Sequence, residues 1–248
     1  MDETIVFGYS SSKGGVGKST LITLMAGYLS YLKDYKVLVI DADPQASINK
    51  KREDNQVEFG DEGMKGAYLI MEVTPDMVPD IIEDEKDNFD FIILDLAGTL
   101  TTQGNISAYT TLDKIIIPTS TSDNDITETQ NFYNVLRDKI FPVRKKYMNA
   151  EPDVVIQLNR LNPKLNNYKE LREMISEAGD NIDHEIELNL KGEGAPNYIY
   201  PFKIINADIN TADAKFGQEL NTGINTVNME ILEKYSPQCE EVLKFLKS

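Results

Sequence analysis

Between positions 11 and 20 the chain reads Ser11-Ser12-Lys13-Gly14-Gly15-Val16-Gly17-Lys18-Ser19-Thr20, residue types that suit the binding of a triphosphate. Glycines reach backbone angles closed to other residues, so successive N–H groups can crowd inward on phosphate oxygens. The lysine that follows them can set its ammonium between the β- and γ-phosphates, and the next hydroxyl can join the shell of a Mg2+ ion. Lys13, Gly14, Gly15, Val16, Gly17, Lys18, Ser19 and Thr20 are therefore the candidate phosphate cradle, with Lys18 on the phosphates and Ser19 on the cation. The usual pattern has glycine where Ser12 stands, and an extra lysine, Lys13, opens the glycine run.

Two later segments carry the carboxylates that such chemistry needs. Asp41-Ala42-Asp43-Pro44-Gln45 follows one apolar run, and Asp95 ends another, Phe89-Asp90-Phe91-Ile92-Ile93-Leu94, with Gly98 three residues on. Carboxylates at the C-terminal ends of strands stand where a metal ion and an attacking water are handled. Asp-Pro also initiates turns, so a cap-and-turn role for Asp43 stands beside the chemical one.

A phosphate loop works only where a strand feeds a helix N-terminus, whose partial positive charge adds to the amides. The apolar runs predict strands at 5–9, 36–40, 91–94, 114–118, 154–158 and 202–205, several of them continuous β-branched stretches suited to burial on both faces. Helices are predicted over 18–32, 76–86, 125–140, 166–178 and 237–247, the last capped by Ser236, and the stretch 53–66 reads as a surface loop. This alternation predicts an α/β, doubly wound, mostly parallel sheet with helices on both faces, in one domain spanning 1–248.

Composition excludes several alternatives. No apolar run is long enough to span a membrane, and the acidic start Met1-Asp2-Glu3 is unlike a secretory leader. One cysteine, Cys239, rules out an intramolecular disulfide framework or a thiolate cluster from one chain, and the expected compartment is the cytoplasm. The lone His184 reads as structural or exposed. With 41 acidic against 25 basic side chains the net charge is −16, the opposite of a DNA-coating protein, so nucleic-acid binding would need a local basic patch.

The Lys-Gly-Gly-x-Gly-Lys-Ser string resembles the deviant phosphate loop of the ParA/MinD family of ATPases. That resemblance implies Mg2+-dependent ATP hydrolysis by a homodimer that forms around ATP, with Lys13 reaching across the interface to the partner's nucleotide. It also implies that Asp43 orients or deprotonates the water, that Asp41 and Asp95 lie with Ser19 near the metal, and that the backbone of Gly98 senses the γ-phosphate. Gln157-Leu158-Asn159-Arg160 resembles the segment whose asparagine meets the adenine, and 205–211 falls where relatives close over the base, although Asn206-Ala207-Asp208 lacks the basic residue often found there.

Among the family's roles, the sequence is most similar to the short partition ATPases, which segregate DNA or plasmids with a ParB-like or centromere-binding partner. The run 137–146 is the best candidate for non-specific DNA contact, through Arg137, Lys139, Arg144, Lys145 and Lys146, and a solvated face is the plain alternative. The stripe Cys239, Val242, Leu243 and Leu246 has cancelling flanking charges, which suits core packing better than a membrane surface. The second functional reading is a nucleotide-gated adaptor or positioning ATPase that acts on a protein or membrane partner without touching DNA.

Overall fold

Successive side chains on a strand face opposite ways, and that parity sorts the apolar residues of this chain into two cores. The computed structural model describes residues 3–120, 122–160, 186–188, 198–200, 203–212, 216 and 219–248. Its strands are β1 (Ile5–Tyr9), β2 (Val37–Asp41), β3 (Leu69–Glu72), β4 (Phe91–Asp95), β5 (Lys114–Thr119), β6 (Asp153–Asn159), β7 (Ile186–Leu188), β8 (Tyr198–Tyr200) and β9 (Lys203–Ile209). Seven of them form one sheet in the order β3-β2-β4-β1-β5-β6-β9, and every pairing in it is parallel. β7 and β8 pair antiparallel as a separate ribbon.

The helices are α1 (Lys18–Gly27), α2 (Ser47–Met64), α3 (Val78–Glu85), α4 (Gln103–Thr110), α5 (Asp123–Lys139), α6 (Phe141–Met148) and α7 (Thr226–Leu246). Phe7, Val39, Ile93, Ile116 and Val155 project to the face covered by α1 and α7, where Leu21, Leu24, Leu232 and Leu243 meet them. Their sequence neighbours Val6, Leu38, Ile92, Ile115 and Ile156 project to the other face, against Ile82, Ala108, Phe132 and Phe141 from α3, α4, α5 and α6. Parallel strands with both faces buried have no polar side to show, hence the continuous apolar runs. The doubly wound α/β arrangement expected from the sequence is the one found.

Two local expectations differ from the structure. The stretch 53–66 is mostly helix, because α2 is held from outside itself: Arg52 lies over the Tyr68 ring at 4.9 Å, and Asn55 Oδ1 accepts from the Thr222 amide at 2.9 Å. Gly60, at φ 64 and ψ −174, kinks it near its end. α7 starts eleven residues before Pro237, capped by Asn225, whose side chain accepts from the Asn228 amide at 3.0 Å. Pro237 therefore sits inside the helix and Ser236 caps nothing. The helix expected over 166–178, His184 and the Phe202 start of the last expected strand lie outside the described residues.

The basic run also reads differently in three dimensions. Pro142 stands in the first turn of α6, so the run is split between two helices. Arg144 is buried, 5% exposed, and pairs through its guanidinium with Asp113 while reaching the Ala150 carbonyl at 3.4 Å. Lys145 pairs with Glu151 at 2.9 Å, Arg137 with Asp138 at 3.0 Å, and Lys139 donates to the Leu100 carbonyl at 3.0 Å. Arg144 is thus a structural residue joining α6 to the start of β5, and this corrects its assignment as a DNA contact.

Asp113 is the groups' shared acceptor, taking the Val6 amide at 2.8 Å as well as Arg144. Asp113→Ala leaves the buried guanidinium without its counter-charge, and should lower the unfolding free energy by about 3 kcal/mol in urea titration. A loss under about 0.5 kcal/mol, the range of ordinary surface changes, would show that water already solvates Arg144.

Candidate functional site

The loop between β1 and α1 is bent by two glycines in the left-handed region, Gly15 at φ 73 and Gly17 at φ 94. Gly17 has no room for a side chain either: a Cβ there would lie 2.5 Å from Thr211 Oγ1 and 2.6 Å from Asn159 Nδ2. The Leu21 amide bonds back to the Gly17 carbonyl at 2.9 Å, which starts α1 and turns its N-terminus toward the loop. Lys18 and Ser19 stand in the first turn of that helix.

Asp41 and Asp95 are cross-strand neighbours in register at the C-terminal ends of β2 and β4, and both are fully buried. Ser19 Oγ donates to Asp95 Oδ2 at 2.6 Å and accepts from Ser47 Oγ at 2.8 Å. Asp41 Oδ2 accepts the amides of Ile48 and Asn49 at 3.0 and 2.9 Å, so one of its oxygens caps α2. The remaining oxygens, Asp41 Oδ1 and Asp95 Oδ1, are buried without any hydrogen-bond partner. Uncompensated buried carboxylate oxygens are costly, and a cation is what relieves them.

The carboxyls register that cost. Burial pushes Asp95 up to about 7; its Ser19 hydrogen bond and the Lys18 charge pull the other way, and Asp41 and Asp43 add to the rise. Asp41 is raised as well, chiefly by burial, with the Asn49 and Ile48 amides opposing. Among the described residues no cluster of three or more acidic, histidine or cysteine side chains could hold an ion alone. Mg2+ seldom needs one, since it keeps waters and takes phosphate oxygens beside one or two carboxylates. The residues present fit such an ion.

Asp43 is half exposed, and its Oδ1 accepts the Gln45 amide at 2.9 Å, so the turn-forming role is realised while the other oxygen takes no part in it. Gly98 packs directly on the loop: a Cβ there would fall 2.0 Å from the Ser11 carbonyl oxygen. Lys13 is held by an ion pair to Asp125 near the start of α5. Burial raises the Asp125 carboxyl, but hydrogen bonds from Lys13 and Ser120 outweigh it and hold the group below its ordinary value.

Asn159 departs from its expected place against an adenine. Its Nδ2 donates to the Val16 carbonyl at 2.7 Å and to Thr211 Oγ1 at 2.8 Å, while its Oδ1 accepts the amides of Arg160 and Thr211 at 2.8 and 3.0 Å. A carboxamide has two N–H groups and two lone pairs, so this one is spent. It clamps the loop to the turn after β9 and has no bond left for a base. Ser47, Asp125 and Thr211 were not singled out in the sequence. Each is a common residue type without a motif of its own, and only its neighbours in space mark it.

The profile described as the CobQ/CobB/MinD/ParA nucleotide binding domain matches residues 9–230. No curated protein sequence matches the chain. Among solved structures, a plasmid partition protein of Borrelia burgdorferi B31 bound to AMPPNP aligns with a TM-score of 0.64 and 18% identity over 98% of this chain and 99% of that one. Apo McdA of Cyanothece aligns with a TM-score of 0.62 and 15% identity over 99% and 100%. The cell division ATPase MinD of Pyrococcus furiosus aligns with a TM-score of 0.55 and 17% identity over 97% and 99%. Likeness at these identities speaks for the fold.

Because the folded pKa of Asp95 lies above its unfolded value, the folded state holds the proton more tightly. The sign follows: stability present near pH 4 is lost as pH rises toward 7. Asp95→Asn removes the charge, and should stabilise the nucleotide-free protein at pH 8 by on the order of 3 kcal/mol while changing little at pH 4. Equal effects at both pH values in thermal unfolding would show that Asp95 is ionised throughout.

Proposed function

This chain belongs to the CobQ/CobB/MinD/ParA family of nucleotide-binding domains, and from that membership and its site we propose that it is a Mg2+-dependent ATPase of the partition type. In this reading it binds ATP, dimerises around it and hydrolyses it, to segregate DNA or a comparable cargo with a ParB-like or centromere-binding partner. The observation that carries it is the loop 13–20, bent at Gly15 and Gly17 against a helix start, with Ser19 Oγ 2.6 Å from a buried strand-end carboxylate.

The roles divide by position. Loop amides and the Lys18 ammonium hold phosphates. Ser19, Asp41 and Asp95 hold the cation, which when bound neutralises phosphate charge and polarises the bond to be broken. Asp43, half exposed beyond β2, has an oxygen available to orient a water or take its proton. Gly98 lies against Ser11, so a shift of the β4 end and a shift of the loop are one movement. Lys13 has its ammonium on Asp125; reaching a partner's nucleotide requires that pair to open.

A second reading, the nucleotide-gated adaptor or positioning ATPase acting on a protein or membrane partner without DNA, gains from one observation. The basic run loses Arg144 to the interior, and three of its other cations are engaged with Asp138, Glu151 and the Leu100 carbonyl. Among the described residues no helix is long and apolar enough to cross a membrane.

Lys18→Ala should abolish ATP binding, whereas Asp43→Ala should keep Mg-ATP and lose turnover by about a hundredfold or more, the range of general base contributions. Calorimetry beside phosphate release separates them, and equal loss of both in Asp43→Ala would place that carboxylate on the metal. In light scattering, Asp43→Ala should form an ATP-dependent dimer that Lys13→Ala prevents; a dimer indifferent to both sinks the sandwich.

Mobility shift on arbitrary duplex decides between the two readings. Partition predicts retardation only with ATP, weakened about tenfold or more between about 50 and 200 mM salt if two or three phosphates per dimer are contacted, and removed by Lys145→Glu with Lys146→Glu. No shift at low salt assigns the adaptor role.

A further inference from the structure

A cleft of about 940 Å3 opens at the pole of the sheet opposite the phosphate loop. It lies beneath the N-terminal ends of β1, β2 and β4, between α3 and the end of α6, about 15–20 Å along β1 from the loop. That volume is at the upper end of the range typical of ligand-binding clefts, about 300–1,000 Å3.

Its surface has two characters. The floor is apolar, with buried Val6 and Ile82 beside half-buried Phe89, and Met148 stands on the wall 56% exposed. A single exposed apolar side chain is ordinary, but here Met148 borders an apolar floor rimmed by polar residues, the arrangement that interaction sites share. The rim is acidic: five of the lining residues are carboxylates against two lysines.

Several of these groups have internal duties, and some do not. Asp90 accepts the Lys36 amide at 2.8 Å, Asp113 holds Val6 and Arg144, and Glu83 pairs with Lys86 at 2.8 Å. Glu3 and Asp87 are exposed and have no ion pair among the described residues. Glu3 also adds to the rise of the Asp113 carboxyl, though burial is its main cause.

We propose that this cleft is the docking site for a lysine- or arginine-rich segment of a partner protein, anchored by an apolar side chain on the Val6–Ile82 floor. Charge complementarity selects the occupant. An acidic rim repels phosphates, acidic peptides and anionic lipid, and draws cations in from a distance. The apolar floor in turn demands more than a cation, since burying it is what favours residence once the segment has arrived. The site is independent of the nucleotide reading, because it shares no residue with the phosphate loop.

The test uses the full chain without nucleotide and a fluorescein-labelled peptide of roughly twelve residues that alternates arginine pairs with leucine, followed by anisotropy. Glu83→Lys with Asp87→Lys should weaken binding about tenfold, several surface-pair contributions reversed together. Asp54→Lys with Glu58→Lys, the same charge change on exposed positions of α2, should weaken it less than about twofold. Met148→Ser should cost several-fold, Lys18→Ala should cost nothing, and a peptide with leucine replaced by serine should bind several-fold more weakly. Circular dichroism in urea checks that each variant folds. Equal weakening by the cleft and α2 reversals would overturn the proposal in favour of the general negative field. Displacement of the peptide by spermidine at equal concentration would overturn it in favour of a small-cation site, and absence of binding would overturn it outright. Because Lys18→Ala is expected to bind the peptide normally, failure here and failure of the ATPase reading are distinguishable.

Discussion

Asn159 ends β6 inside the protein, and through its one carboxamide the Val16 carbonyl, the Thr211 hydroxyl and the Thr211 amide are held at 2.7, 2.8 and 3.0 Å. The phosphate loop depends on that clamp. Gly15 and Gly17 give their segment wide backbone freedom, so its ordering costs more conformational entropy than an ordinary turn. A loop that must present amides to phosphate cannot meet that cost with side-chain packing, because glycines have none. The clamp supplies the order from outside, and it is why Gly17 tolerates no larger residue: the space a Cβ needs is occupied by the clamp itself.

A second constraint follows from the sheet. Parallel strands with both faces buried deliver their C-terminal ends to one edge, and β2 and β4 in register bring Asp41 and Asp95 side by side in the interior. The fold therefore carries two carboxylates whose burial raises both pKa values and leaves one oxygen of each without a partner. Buried carboxylate oxygens without partners carry a desolvation cost that opposite charge offsets. A ligand that bound there in the folded state alone would add to its stability.

The parallel direction of the strands also separates the two poles of the sheet. Chemistry-bearing residues collect where strands end; at their beginnings stand the Asp113–Arg144 pair and the cleft under β1 and β4. Acidity serves differently at each. Near the loop it is buried at two strand ends, on the far rim it is exposed and partly unpaired, and beside α5 and α6 it pairs with Arg137 and Lys145.

What the sequence by itself determined was everything set by neighbours along the chain. The strand–glycine–helix order at 5–27, the β-branched runs of β2, β4 and β5, and the aspartates that end two of those strands were legible because loop angles and strand burial are local properties. The doubly wound α/β fold was legible for the same reason, since alternation of elements and the handedness of their crossovers leave few ways to stack them. Tertiary structure alone decided the rest. α2 and the early start of α7 depend on partners such as Thr222 and on caps that compete with a proline; Arg144 turned inward because Asp113, 31 positions away, is held near the start of β5 by the Val6 amide and offers it a counter-charge. Asn159 became a clamp because Val16 lies 143 residues back and Thr211 52 residues on. Hydrogen bonds act over about 3 Å, whatever the separation in sequence, so which residues share that distance is a property of the folded chain.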